Sequence, residues 1–335
     1  PDVSSVKTAT RKPLISEQRI IMNYLTDHEK FYFIGGSAGW ANMSALIQRS
    51  IKGVKLYQED DYTEPLVDVW GISDLGLFRE VDRVLARQPQ ERPFFAYIQT
   101  AANHRPFTIP EDNEGFQVDN LPEEEVIPHG FKSTAQYNAV RLLDFNIGKF
   151  MEMAKHSGYF ENTIFILFGD HNNRITTTPH MESFYELLDL DGLHVPHIIY
   201  APKYLEPRVI EEATSLVDVM PTVAGFLGID YVNSTMGRDI SGPAPEGERA
   251  VYTQTDRKRA PVIGAITKNY MLRMQHDGSD AKLHDLHAED PAADVSAQFP
   301  EKAVMLKDQA RGIYETTKFQ VYHNTVGGSE QPGEQ

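Results

Sequence analysis

The sequence predicts an α/β fold: a mixed, mostly parallel sheet sandwiched by helices, with a small antiparallel sheet at the C-terminal end. Three observations lead there. Two apolar runs rich in aromatic and β-branched residues, 94–100 and 164–168, read as strands buried on both faces. Stretches with apolar residues at helical spacing, from Asp74 to Arg87 and from Ser133 to Lys155, alternate with them. Near the C-terminus, residues 251–255, 262–267 and 270–274 alternate in polarity as a small antiparallel sheet does.

In chain order, residues 1–15 are polar, with Lys7, Arg11 and Lys12 ahead of Pro13. Ser16 is placed as an N-cap, and Ile20, Ile21, Tyr24 and Leu25 predict a helix over Glu17–His28. A strand over 31–34 follows, then the turn Gly35-Gly-Ser-Ala-Gly39 and a helix from Trp40 to Arg49. Strand, glycine turn and helix can point free amides at an anion, or can simply be a tight packing turn. The glycine spacing is that of neither a dinucleotide fingerprint nor a P-loop. Glu59, Asp60 and Asp61 read as a solvated acidic turn, and 108–130, with Pro110, Pro122 and Pro128, as a long surface loop. After the central strand come a strand over 195–200, a short strand over 214–217, and a helix with Asp218 as N-cap, Pro221 in its first turn and Gly228 as C-cap. A helix is expected over 301–318. The expected division is 1–247 as the α/β domain, 248–326 as the C-terminal sheet and helix packed on it, and 327–335 as a disordered tail.

Composition removes several function classes. The chain has 335 residues, 41% of them hydrophobic and 24% charged, as in an ordinary globular protein. A net charge of −16 argues against nucleic acid as a partner. It leaves room for an anionic small substrate, because one metal ion reverses the sign locally. Zero cysteines exclude disulfides, cysteine zinc sites and thiol catalysis. No apolar run approaches the ~20 residues of a membrane span, and the first residues lack the apolar core of a signal peptide.

The stretch that carries chemistry is Phe168-Gly169-Asp170-His171. The strand stops at a glycine, and a carboxylate and an imidazole follow, both good ligands for a divalent ion. In an open α/β sheet that is the end of the strand at which ligands bind. An ordinary polar turn, with Asp170 as a cap, is the alternative. The strand over 94–100 likewise delivers Asn103 and His104 just past its end.

These segments, together with Ser215-Leu-Val-Asp218-Val-Met-Pro221-Thr222 followed by Gly228, resemble the sulfatase-like branch of the alkaline phosphatase superfamily. The closest likeness is to the lipoteichoic acid synthase and phosphoglycerol transferase group. Trp40 after a strand, and Trp70-Gly-Ile-Ser-Asp74 ahead of a helix, fit that group too, and the likeness runs from about residue 16 to 240. The resemblance implies an enzyme: a metal-dependent phosphoglycerol transferase acting on an anionic phosphodiester lipid through a covalent phospho-threonine, with a glycan or alcohol as acceptor. The same site gives a sulfatase or phosphodiesterase if water is the acceptor, and a module that only binds a glycan or lipid head group is the third reading.

The resemblance assigns Asp170 and His171 to one divalent ion, Mn²⁺ or Zn²⁺, and His104 to hydrogen-bonding a phosphoryl oxygen or protonating the leaving group. It assigns Trp40 to the wall of the head-group pocket. His180 falls where related enzymes place a second substrate histidine, and Arg174 or Arg105 stands in for an arginine that the synthases carry where this chain has Asn42. An acidic partner is missing from the Gly35-Gly-Ser37 turn as well. His197 is a core or supporting residue as readily as a ligand, and His276, His284 and His287 are expected at the surface. The family's Glu after the first strand and its Thr nucleophile belong upstream of the segment matching residues 1–30. The chain therefore reads as a fragment beginning just after the nucleophile, since Ser4, Ser5, Thr8 and Thr10 have no evident base. The implied location is the extracytoplasmic face of the bacterial cytoplasmic membrane, periplasmic in a Gram-negative cell, with anchoring helices outside this chain.

Overall fold

The computed structural model describes residues 18–89, 91–173, 175–176, 178, 181–242, 249–255 and 261–324. Strand β1 (Glu29–Ile34) leads through the glycine turn to helix α1 (Met43–Ser50) and strand β2 (Val54–Tyr57). A small hairpin of β3 (Leu66–Asp68) and β4 (Gly71–Ile72) precedes helix α2 (Asp74–Leu85) and strand β5 (Phe94–Gln99). The short α3 (Glu123–Val126) and the long α4 (Thr134–Ser157) lead to strand β6 (Phe165–Phe168). Then come α5 (Phe184–Leu187), β7 (His197–Tyr200) and α6 (Val219–Leu227). Strands β8 (Val251–Thr255), β9 (Val262–Ile266), β10 (Tyr270–Gln275) and β11 (Lys282–Asp285) and helix α7 (Pro300–His323) complete the order.

The main sheet is parallel, in the order β2-β1-β5, with Tyr32 opposite Leu56 on one side and Tyr97 on the other. Strand β1 is central, and its Phe31 and Phe33 are completely buried against α2 and α4. Helix α2 holds its place because Ser73 caps it, accepting from Gly76 N at 2.9 Å, and because one face carries Leu77, Phe78, Val81 and Leu85. Phe78 stacks on Phe150 of α4 with centroids 4.7 Å apart. Helix α4 is itself capped by Ser133 and ended by Gly158 in the left-handed conformation. Strand β6 pairs antiparallel with β7, Phe168 opposite His197. The C-terminal sheet is antiparallel in the order β11-β10-β9-β8, and α7 lies on it.

Several expectations change. The helix expected over Glu17–His28 is reduced, among the described residues, to one 3-10 turn at Ile21–Tyr24. Asn23 is drawn sideways, donating to Ser50 O at 2.8 Å and accepting from Lys52 N at 2.8 Å, so tertiary bonds override a weak local preference. The helix expected from Trp40 starts only at Met43, because Ala41 and Asn42 have positive φ. The glycine turn before it is a packing turn. A Cβ on Gly36 would run into the Trp70 carbonyl, and Gly71, at φ +103°, leaves no room for one against Gly35. The loop over 108–130 contains α3 and a 3-10 turn at Ile127–His129.

No strand forms over 214–217; Leu216–Asp218 is a 3-10 turn. Asp218 stands at the start of α6 but does not cap it. Its carboxylate is wholly buried, accepts from Ser215 N and Arg238 N, and pairs with Arg249 at 3.1 Å. His284 is not at the surface: it sits on β11 opposite Met271 and is 5% exposed, and burial holds its imidazole below the usual histidine range. His276 is half-buried beside Tyr314, and His287 is exposed as expected. The two apolar runs do form strands, yet every residue of β5 and β6 is only half-buried. The expected tail over 327–335 lies outside the described residues.

Candidate active site

Strands β5 and β6 end on the same side of the molecule. Tyr97 and Phe168, near their C-terminal ends, meet edge to face at 6.3 Å. At the other end Phe94 meets Tyr159, and Phe165 meets the next residue, Phe160. The two strands therefore run in the same sense, and the residues just past them share one cleft mouth.

Past β6, the Asp170 carboxylate faces the His171 imidazole, Oδ2 to Nε2 at 3.6 Å, while Oδ1 accepts from the His171 backbone amide at 2.9 Å. Both side chains are open to solvent, 71% and 61% exposed. The segment behind them is pinned. Asn172 donates to Asp191 O at 2.8 Å and accepts from Ile175 N at 2.9 Å. Asn173 reaches Asn103 O, and Gln136 of α4 holds Asn173 O at 2.7 Å. A carboxylate oxygen and an imidazole nitrogen converging on one solvent-open point are the right chemistry for two of the ligands of a tetrahedral or octahedral site. Among the described residues no third His, Asp or Glu joins them. Burial, with the nearby negative charge of Asp170 adding to it, raises the phenols of Tyr97 and Tyr32 above their ordinary range.

Past β5, His104 is held by a neighbour whose contact is set by the fold. The Trp70 ring lies against the His104 ring, centroids 4.1 Å apart, and its indole N–H donates to Arg105 O at 2.6 Å. His104 Nδ1 lies 3.2 Å from the same carbonyl. Beneath the turn, Asp74 at the start of α2 is buried, 3% exposed, and accepts from Ala101 N at 2.8 Å and Ala102 N at 3.1 Å. Burial dominates and pushes its carboxyl up to about 6, against the lowering effect of those two amides. The phenyl and aliphatic walls of β5, β6, α4 and α6 line a cavity of about 1680 Å³ below the mouth.

The structure thus brings Asp170, His171, His104 and Trp40 to one cleft. Trp40 is 68% exposed at its rim, a free aromatic face. Arg174 and His180 lie outside the described residues. Arg105 is exposed, and His197 is half-buried under Phe168 with its Nε2 unpartnered among the described residues. Burial lowers the His197 pKa, which fits a supporting core position. Asp74 and Asn173 were not singled out for the site in the sequence. Both act across long sequence separations, and only the Trp-Gly-Ile-Ser-Asp segment ahead of α2 gave a signal for the first.

The Sulfatase family profile matches residues 2–229. Lipoteichoic acid synthase-like YvgJ of Bacillus subtilis is 26% identical over 189 residues, 52% of this chain and 29% of the relative. The lipoteichoic acid synthase of Staphylococcus saprophyticus is 27% identical over 188 residues, 54% of this chain and 27% of the relative. The chain thus spans less than a third of the length of these curated relatives. The solved structure of lipoteichoic acid synthase LtaP from Listeria monocytogenes superimposes with a TM-score of 0.75 at 18% identity, covering 96% of this chain and 78% of that one. A protein in the alkaline phosphatase superfamily from Vibrio parahaemolyticus gives 0.70 at 23% identity, covering 93% and 71%. With a parallel β2-β1-β5 sheet, an Asp-His pair past β6, and a family match over more than half its length, this chain belongs to the sulfatase family.

Proposed function

We propose that this chain is the larger, C-terminal part of a metal-dependent catalytic domain that transfers a phosphoglycerol or related phospho-head-group from an anionic lipid. The observation that carries the reading is the Asp170–His171 pair at the mouth of the cleft, with His104 delivered to the same mouth by β5. Asp170 and His171 would hold one divalent ion, Mn²⁺ or Zn²⁺, their donor types suiting either. When bound, the ion supplies positive charge for the phosphoryl oxygens and lowers the pKa of a coordinated nucleophile.

His104, fixed by Trp70, is the proton donor to the oxygen that leaves phosphorus, or the hydrogen-bond donor to a phosphoryl oxygen. The attacking group is a threonine hydroxyl supplied from outside the described residues, giving a phospho-threonine that an acceptor alcohol on a glycan resolves. Trp40 offers a flat apolar wall beside the head group. The lipid substrate and the relatives named lipoteichoic acid synthase support placement at the outer face of the cytoplasmic membrane. No described helix is long and apolar enough to cross a membrane, so an anchor would be a separate segment.

The hydrolase reading has one observation in its favour. The position at which the synthases carry an arginine is Asn42, a left-handed residue with no charge for a glycerol phosphate. The deciding assay is turnover of labelled phosphatidylglycerol with Mn²⁺ by the native polypeptide that contains this chain, beside Asp170→Ala and an EDTA control. Diacylglycerol released with glycerol phosphate on an acceptor selects transfer, and release to water selects hydrolysis. Turnover that survives Asp170→Ala sinks both.

A further inference from the structure

Helix α4 buries three side-chain amides, and two of them are fully used. Gln136 accepts from Lys132 N at 2.9 Å and donates to Asn173 O at 2.7 Å. Asn138 accepts from Asp119 N and donates to Asp119 O, each at 2.9 Å. Asn146 differs. It is 0% exposed and stands on the buried stripe of Ala139, Leu142 and Phe150, and neither end of its amide has a partner among the described residues. An unpaired buried amide costs more than an apolar residue of its size, so the position calls for a ligand. Beside it lies a cavity of about 20 Å³, whose walls include Asn146, Asp74, Asp68, Trp70, Ala101 and Ala102. One water needs roughly 10–15 Å³ and two to four polar partners. The amide must both donate and accept: a cation offers nothing to its N–H groups, and an anion nothing to its carbonyl. Water does both. Asp74 accepts from Ala101 N and Ala102 N, and Asp68 from Trp70 N at 2.8 Å, and each carboxylate keeps lone pairs for a further donor. Burial raises the Asp74 carboxyl, and a protonated Asp74 would donate to the same water, which takes either role.

We propose that this cavity seats one buried water bridging the Asn146 amide to the Asp74 carboxyl, and that Asn146 and Asp74 are positioning residues that fix the His104 turn to α4 through it. The inference deepens the functional reading above and rests on it only for what His104 does. Trp70, Asp74 and Ala101 are also what hold His104. Ala101 O accepts from His104 N at 2.9 Å, Asp74 takes the two amides that open the turn, and Trp70 packs on the His104 ring. Asn146 touches no substrate; it acts through the water, Asp74 and the turn. The bridge also explains why α4 is the helix that carries it. Three turns earlier the same helix holds Asn173, behind the Asp170–His171 pair, through Gln136. One rigid element then sets both sides of the cleft mouth.

The test compares the native polypeptide that contains this chain with its Asn146→Leu and Asn146→Ser variants, first without substrate or metal. A crystal structure of the unmodified protein should show one density peak within hydrogen-bonding reach of Asn146 and Asp74, absent in Asn146→Leu. In Asn146→Leu the amides of Ala101, Ala102 and His104 should exchange about tenfold faster, with those of β9 and β10 unchanged. The NMR signals of the His104 ring, which lies against Trp70, should move. With labelled phosphatidylglycerol and Mn²⁺, kcat should fall about tenfold and KM stay within about twofold. Asn146→Ser keeps a hydroxyl and leaves room for water, and should recover most of both losses. If Asn146→Leu does not fold, Asn146→Ala gives the same comparison, since it removes the amide without overfilling the site. A peak with the short, many-oxygen shell of a cation overturns the proposal, as does an Asn146 amide with no ordered neighbour. So does exchange and turnover in Asn146→Leu equal to the parent's, or a loss spread evenly into β9 and β10, which makes Asn146 a core residue only. No turnover in the unmodified protein discards the functional reading, while density and exchange still decide the bridge.

Discussion

The two larger sheets among the described residues solve the same packing problem to different degrees. In the C-terminal sheet, β9 and β10 bury Ile263, Ala265, Leu272 and Met274 against Leu306, Ala310 and Tyr314 of α7, and that core is closed. In the parallel sheet, β1 is closed in the same way, but β5, and β6 in its own pair with β7, leave strongly apolar strands half-exposed around a cleft. The candidate catalytic groups all stand at the mouth of the less finished half. The closed core and the candidate site therefore lie in different regions, as the generally lower stability of binding regions leads one to expect.

The largest effect that would test this contrast is truncation in the two cores. Leu272→Ala and Leu306→Ala, at 1% and 0% exposure, should each cost about 2–5 kcal/mol in urea unfolding. Ile98→Ala in β5, half-buried beside the cleft, should cost clearly less than either. Equal costs would mean that β5 is as enclosed as the C-terminal core, and the contrast would fail.

Asp74 gives the next largest effect, through pH. Its folded carboxyl is pushed up to about 6, above the ordinary value of 3.8. The native state then holds this proton more tightly than the unfolded chain does. Between pH 4 and 6 the unfolded chain releases the proton while the folded protein keeps it, so stability falls as pH rises through that window and is level above it. The fall is on the order of 3 kcal/mol. Unfolding at stepped pH should show that decline, and Asp74→Asn should flatten it. A carboxyl carbon of Asp74 titrating near pH 4 by NMR would refute the cause.

A smaller effect is expected at the metal pair, because among the described residues no third His, Asp or Glu joins Asp170 and His171. In the 335-residue chain, Mn²⁺ should bind more than roughly tenfold more weakly than in a polypeptide that brings further ligands, and the chain alone should be inactive. Asp170→Ala should abolish even the weak binding, by calorimetry. Full-strength binding by the short chain would show that the described residues already suffice.

Much of this was legible in the sequence where local signals and fold agree. The runs at 94–100 and 164–168 became strands, Ser133 and Gly158 bounded α4, Gly228 ended α6, and Asp170, His171, His104 and Trp40 share one cleft. What failed was decided at long range. The helix over Glu17–His28 gave way to bonds between Asn23 and residues near 50, and the strand over 214–217 gave way to the buried Asp218–Arg249 pair. His284 is buried by strand register, which periodicity in so short a segment does not fix. The half-exposure of β5 and β6 could not be read from either run, because burial of a strand depends on what lies beside it.

The smallest effect separates the site from the cores most cleanly. Trp70 Nε1 donates to Arg105 O at 2.6 Å while its ring packs on His104. Trp70→Phe keeps a ring there and removes the hydrogen bond, a loss of about 1 kcal/mol. If that bond steadies only the turn, the loss falls on local opening. The amides that close the turn, His104 N to Ala101 O and Phe107 N to His104 O, should then exchange about fivefold faster. Amides of β9 and β10 should be unchanged. A global drop in stability, seen equally in both sheets, would tie Trp70 to the main core. A turn that opens alone means the position of His104 is set at the cleft mouth by its own neighbours, and can be tuned there without disturbing the closed half of the molecule.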